Sequence, residues 1–206
     1  MTKTLLPLLV AAACAGCAAP AVLETASVHV RQCGEFEARN EWAQARAACE
    51  RAAVEAQAGG GRERAIAALW YEYGRASGAI CRYDDAQRGL ERALKLDRAH
   101  DGPVYMSLLE LARLALAQAR YAQAARYYGQ FETAMPQARG VRVDPIGYAE
   151  VLEEHAEALR NIGEAQDAAS LASRAQALRK AHPGVKARTA RTPYGRFCAP
   201  GLQSAP

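Results

Sequence analysis

The stretch Trp70-Tyr71-Glu72-Tyr73-Gly74-Arg75-Ala76-Ser77, followed by Tyr83-Asp84-Asp85-Ala86-Gln87-Arg88-Gly89-Leu90-Glu91-Arg92-Ala93, decides the fold. Trp70, Tyr73, Gly74 and Ser77 are spaced three and four apart, which puts them on one face of a helix. Ala86, Leu90 and Ala93 repeat that spacing on a second helix. Asp84 and Asp85 stand where the second helix begins, and carboxylates suit that end of the helix dipole. Gly74 and Ala86 are small where two paired helices must touch.

Working outward, the same pattern recurs. Leu108, Leu111, Ala112 and Ala115 precede Tyr121, Ala124, Tyr128 and Phe131, closing at Pro136. A weaker unit has Leu152, Ala156 and Leu159, then Gly163, Ala168, Ala172 and Ala175. A degenerate first unit has Cys33 and Phe36, then Trp42, Ala45, Cys49 and Ala52. The anchoring alanines Ala45, Ala86, Ala124 and Ala168 recur about every 40 residues, longer than the 34-residue ideal of one helix-pair repeat. Turn-forming connections at Ala58–Gly61, Asp101–Pro103 and Gly140–Pro145 take up the extra residues.

This pattern resembles the tetratricopeptide repeat (TPR). Trp70, Gly74, Ala86 and Ala93 match its signature, while Tyr73, Ser77 and Leu90 stand for its leucine, tyrosine and phenylalanine. The resemblance covers residues 22–182 and implies an all-α array of about four helix pairs, an α-solenoid. In that family the first helix of each pair lines a concave groove that binds segments of partner proteins. Carried over unit by unit, the groove positions are Tyr71, Arg75 and Gly78; then Met106, Leu109, Arg113 and Leu116; then Glu150, Glu153, Glu157 and Arg160. They imply a groove that is aromatic and basic in the middle and acidic towards its C-terminal end.

Composition agrees with helices. Half of the 206 residues are hydrophobic, and alanine, the strongest helix former, supplies much of that share. With 26 basic against 22 acidic residues the net charge is +4, and arginine and glutamate are interspersed along the helices. No basic face of the kind nucleic-acid binders carry is legible.

The first residues read as an address. Lys3 and the apolar run Leu5–Ala13 are too short to span a membrane and suit a secretory signal. Ala15-Gly16-Cys17 resembles the cleavage end of a bacterial lipoprotein signal peptide, with Cys14 in place of the usual leucine; a cut before Cys14 is the alternative. The resemblance implies a signal peptide over 1–16, acylation of Cys17 and a linker over 17–21. Ala18 in place of aspartate points to the outer membrane, facing the periplasm.

Cys33, Cys49, Cys81 and Cys198 would then meet an oxidising compartment, where thiols pair. Sequence alone leaves three pairings open. The repeat places Cys33 and Cys49 at facing positions of the first unit, leaving Cys81 for Cys198. That pairing would fold the tail, residues 183–206, back over the helices; a disordered chain end is the alternative.

Chemistry is not apparent. His29, His100, His155 and His182 are scattered without metal-ligand spacing. Gly59-Gly60-Gly61-Arg62 lacks the ending of a phosphate loop. Glu153, Glu154 and Glu157 read as a solvated stripe. The expectation is therefore a non-enzymatic scaffold or assembly lipoprotein without cofactor, metal, nucleic acid or small-molecule substrate, bound to a protein or peptide segment of an envelope complex. The alternative is an accessory module of a cell-wall enzyme or of a polysaccharide or secretion export complex.

Overall fold

A computed structural model describes residues 18–199. The expected signal peptide over 1–16 and the acylated Cys17 lie outside the described residues. The described chain forms α1 (Ala18–Ala38), α2 (Trp42–Ala58), α3 (Glu63–Ala79), α4 (Tyr83–Ala99), α5 (Val104–Ala117), α6 (Tyr121–Ala134), α7 (Gln137–Val143), α8 (Pro145–Asn161) and α9 (Ala165–Ala181). No strand occurs among the described residues, and none of their helices is long and apolar enough to cross a membrane. Helices α1 with α2, α3 with α4, α5 with α6 and α8 with α9 form antiparallel pairs, and each pair stacks on the next.

The pairs are joined by one recurring turn. Asn40, Cys81, Ala119 and Gly163 each take a positive φ between the two helices of a pair. In each case the next amide reaches back to a carbonyl in the last turn of the first helix: Glu41 to Phe36, Arg82 to Ser77, Arg120 to Ala115 and Glu164 to Leu159. That bond satisfies a carbonyl the helix end would otherwise leave open. Three of the four residues are not glycine, and the left-handed conformation costs a side-chain-bearing residue about 1–2 kcal/mol. The helix-pair geometry therefore imposes the turn, and local preference alone does not produce it.

Each turn stands at the same distance before an anchoring alanine, and Ala45, Ala86, Ala124 and Ala168 are all fully buried. They let the helices of a pair approach closely. At the centre of the array a methyl on Gly74 would sit 2.7 Å from Cγ of Leu90 and 3.0 Å from the carbonyl oxygen of Ala86, so α3 and α4 touch backbone to backbone there. Larger side chains fill the space between pairs: Leu90, Leu111, Leu114, Tyr128 and Leu152 are all but inaccessible to solvent.

Two elements differ from the sequence reading. Gly140–Pro145 was expected as a loop, but α7 occupies Gln137–Val143, starting after Pro136 and packing Val141 on the core. Helix α1 begins at Ala18, inside the stretch read as a linker.

Candidate functional site

The first helices of the pairs, α3, α5 and α8, line one inner face. Between them lies a cavity of about 550 Å³, walled by Tyr71, Tyr105, Met106, Leu109 and Val151 and rimmed by Arg75, Arg113 and Arg139. Of the groove positions implied by the repeat, Tyr71, Arg75, Met106, Leu109 and Arg113 meet at this cavity, with Glu150 beside them. Leu116, Glu153, Glu157 and Arg160 do not. Leu116 packs against the core, Glu153 pairs with Arg179 of α9 at 2.7 Å, and Glu157 and Arg160 are exposed. The residue of α8 that turns inward is Glu154, one position on and so about 100° round the helix. Spacing on α8 gives that face as Gly147, Val151 and Glu154, and α7 sets the cavity against the first turns of α8.

The chain's own tail occupies this inner face. The Asp144 carboxylate caps α8 through the Gly147 amide at 2.8 Å, and also accepts the Arg188 amide at 2.9 Å and the Thr189 hydroxyl at 2.8 Å. Burial works to raise the Asp144 carboxyl, but these donors outweigh it and hold the group below its ordinary range. Arg191 reaches Glu154 at 2.8 Å. Arg75 donates to the Thr192 hydroxyl at 2.8 Å. The Tyr194 hydroxyl donates to Glu110 at 2.7 Å, and its ring lies against Gly78. The amides of Gly195 and Phe197 donate to the carbonyls of Gly78 and Ala79 at 3.1 and 2.9 Å, which satisfies two carbonyls at the end of α3. Phe197 packs on Trp42 with ring centroids 6.2 Å apart.

The tail ends in a covalent tie. Cys81 and Cys198 are joined with their Cα atoms 5.2 Å apart, and Cys33 is joined to Cys49 at 5.0 Å.

Under the tail runs a polar network. Arg113 is bound to Glu154 at 2.9 Å and to Glu110 at 3.4 Å, all three being buried. The Tyr128 hydroxyl also donates to Glu154, at 2.8 Å. Burial, and then the Glu154 charge, push the Tyr128 phenol well above its ordinary range; burial and the Glu110 charge do the same for Tyr194. The groove is consequently not basic in its middle. Arg113 is neutralised by two carboxylates, and Arg75 by Glu72.

Other titratable groups hold helices together. His29 meets Glu55 at 2.8 Å and His155 meets Glu132 at 2.7 Å, each pair bridging two helices. Glu37, between burial and the Glu72 charge, is raised to about 8. The grouping of metal-type ligands found among the described residues is Cys33, Glu37 and Cys49, whose two sulfurs are already joined to each other.

No family model matches the chain, and no curated protein matches it either. Solved structures do match. The chain is similar to a kinesin light chain-like protein of Podosopora anserina with nearly identical TPR-like repeats, at 17% identity, over 81% of this chain and 88% of that one, with a TM-score of 0.56. A second match is MamA, at 13% identity, over 79% and 97% of the two chains, with a TM-score of 0.46; that likeness is too distant to carry an argument. The fold is a TPR-like helical-repeat array.

Proposed function

We propose that this chain is a lipid-anchored protein of the bacterial envelope, attached to the outer membrane through Cys17 and facing the periplasm. There it acts as a non-catalytic scaffold whose groove holds a non-helical polypeptide segment. The observation that carries this reading is the tail itself. Residues 188–198 lie along α8, α5 and α3 as a non-helical segment that bends at Arg188–Thr189 and turns at Tyr194–Gly195, bound by their own amides, two hydroxyls, one phenol and one arginine. A surface that holds one non-helical segment in this way has the chemistry to hold another of the same pattern. The TPR-like fold supports a protein-binding role. The Ala15-Gly16-Cys17 ending and the joined cysteines support an oxidising envelope compartment.

The groove reading is tested by removing the tail after Lys186 and adding labelled peptide 187–198, with serine in place of Cys198. Saturable binding, abolished by Glu110→Ala and Arg75→Ala together, is expected; a truncated chain that keeps its helices and ignores the peptide would refute it. The anchor is tested by palmitate incorporation into wild type and into Cys17→Ser. Equal labelling of both would contradict the assignment.

A further inference from the structure

We propose that the Cys81–Cys198 disulfide is a redox latch on the groove: closed, it holds the tail in place and shuts partner segments out; opened by a dithiol reductant, it lets the tail leave. This inference rests on the groove being a polypeptide-binding surface.

The two disulfides are built differently. Cys33 and Cys49 are 3% and 0% exposed, sealed between α1 and α2. Cys81 sits at the turn between α3 and α4, 8% exposed, and Cys198 near the end of the tail is half-buried. Thiol–disulfide exchange needs a thiolate to reach one sulfur in line with the bond. Cys198 is the most exposed of the four joined cysteines and lies on the tail, whereas Cys33 and Cys49 are sealed inside the helix pair.

The exchange balances with a dithiol. One thiolate of the reductant attacks Sγ of Cys198, forming a mixed disulfide and releasing Cys81 as a thiolate. The Tyr83 hydroxyl, 3.7 Å from the Cys81 sulfur, is placed to donate to it. The second thiol of the reductant then attacks its own mixed-disulfide sulfur and frees Cys198. Two electrons and two protons pass to the protein, and the reductant leaves as its disulfide.

What this changes is the freedom of the tail. With the bond closed, the segment between His182 and Cys198 is held at both ends. It cannot clear the positions of Arg75, Gly78 and Glu110, which its own residues fill. With the bond open it is held at one end, and release becomes a local opening that leaves the helices intact. The segment that replaces it must outcompete a tethered ligand, whose effective concentration is on the order of millimolar. The partner that fits carries the tail's own pattern: a hydroxyl for Asp144, a base for Glu154, a hydroxyl for Arg75 and an aromatic for the Gly78 slot.

The test uses the full chain with dithiothreitol as the dithiol, and Cys198→Ser as the permanently unlatched form. Alkylation and mass mapping at rising dithiothreitol should find Cys81 and Cys198 free while Cys33 and Cys49 remain joined. Trypsin should then cut after Arg188, Arg191 and Arg196 about tenfold faster or more, with unchanged helix content, as expected of a local opening. Cys198→Ser should be cut at that faster rate without reductant. Opening of Cys33–Cys49 first, or cleavage indifferent to reduction and to Cys198→Ser, overturns the latch. Labelled peptide 187–197 at millimolar concentration separates the two ideas. Binding only to the reduced and Cys198→Ser forms supports both; faster cleavage with no binding to any form leaves the latch standing and removes the groove reading.

Discussion

Substituting Gly78 by alanine separates the tail from the body more cleanly than any deletion. A methyl at Gly78 would land on Cδ1 and Cε1 of the Tyr194 ring and come within 3.3 Å of Leu114. The Leu114 contact is tight but needs only a small adjustment, whereas the Tyr194 ring must leave. Its departure forfeits the burial of an aromatic ring, about 1.5–3 kcal/mol. It also breaks a hydrogen bond to the charged Glu110, worth about 1.5–3 kcal/mol. Docking of the tail is therefore weakened by about 3–6 kcal/mol. The body moves the other way, because alanine in place of a helical glycine contributes up to about 1 kcal/mol. The loss outweighs the gain, so the expected result is a melting temperature below wild type with unchanged helix content in the folded chain, together with one more tyrosine ionising in its ordinary range in a spectrophotometric alkaline titration. Burial and Glu110 hold that phenol well above the range when Tyr194 is docked. A titration identical to wild type would mean that Tyr194 does not occupy the Gly78 slot. A melting temperature equal to or above wild type would mean that the docked tail adds nothing to the stability of the folded chain.

Arg113→Met leaves buried Glu110 without its ion-pair partner and Glu154 with Arg191 alone, and should cost about 3–5 kcal/mol by chemical denaturation; a loss below about 1 kcal/mol, the size of an exposed pair, would show that the network is solvated. Glu37 keeps its proton to about pH 8 in the folded chain and releases it near 4.5 when unfolded. Its contribution is therefore full below pH 4.5 and is lost as pH rises to about 8, with a slope approaching about 1.4 kcal/mol per pH unit. Glu37→Gln should flatten stability across that window, and an unchanged slope would assign it elsewhere. Ala86→Leu forces a side chain into the fully buried contact facing Gly74 and should cost about 1–3 kcal/mol; an unaltered melting curve would contradict the packing of α3 on α4.

The parts of this structure that were legible in the sequence are those fixed by local spacing. Trp70, Gly74, Ala86 and Ala93 mark two helix faces because their separations match the helical period, and the same periodicity extends to Leu108, Ala124, Leu152 and Ala168. Other features depend on what a residue meets across the fold. Glu153 and Glu154 are neighbours in a run of charge, yet one pairs with Arg179 outside and the other is enclosed by Arg113, Tyr128 and Arg191. Only the first turns of α8, set by α7, decide which faces in. Helix α7 was hidden because Pro136 and Gly140 read as breakers, although a proline just ahead of a helix is well tolerated. Asp144 lies within the stretch Gly140–Pro145 read as a turn; it caps α8, and its grip on Thr189 joins residues far apart in the chain. Arg75 and Arg113 line the cavity between α3, α5 and α8. Their charge is met by Glu72 and Glu110, each one turn back on the same helix, and by Glu154, which packing brings up from α8.

The most direct test of the account is amide hydrogen exchange along the tail of the oxidised chain. The amides of Arg188, Thr189, Gly195 and Phe197 donate to Asp144, Gly78 and Ala79, so they should exchange slowly while those of exposed Lys186 and Ala190 exchange freely. If the four amides exchange at the rate of an unstructured peptide while the helices stay protected, the tail does not lie in the groove.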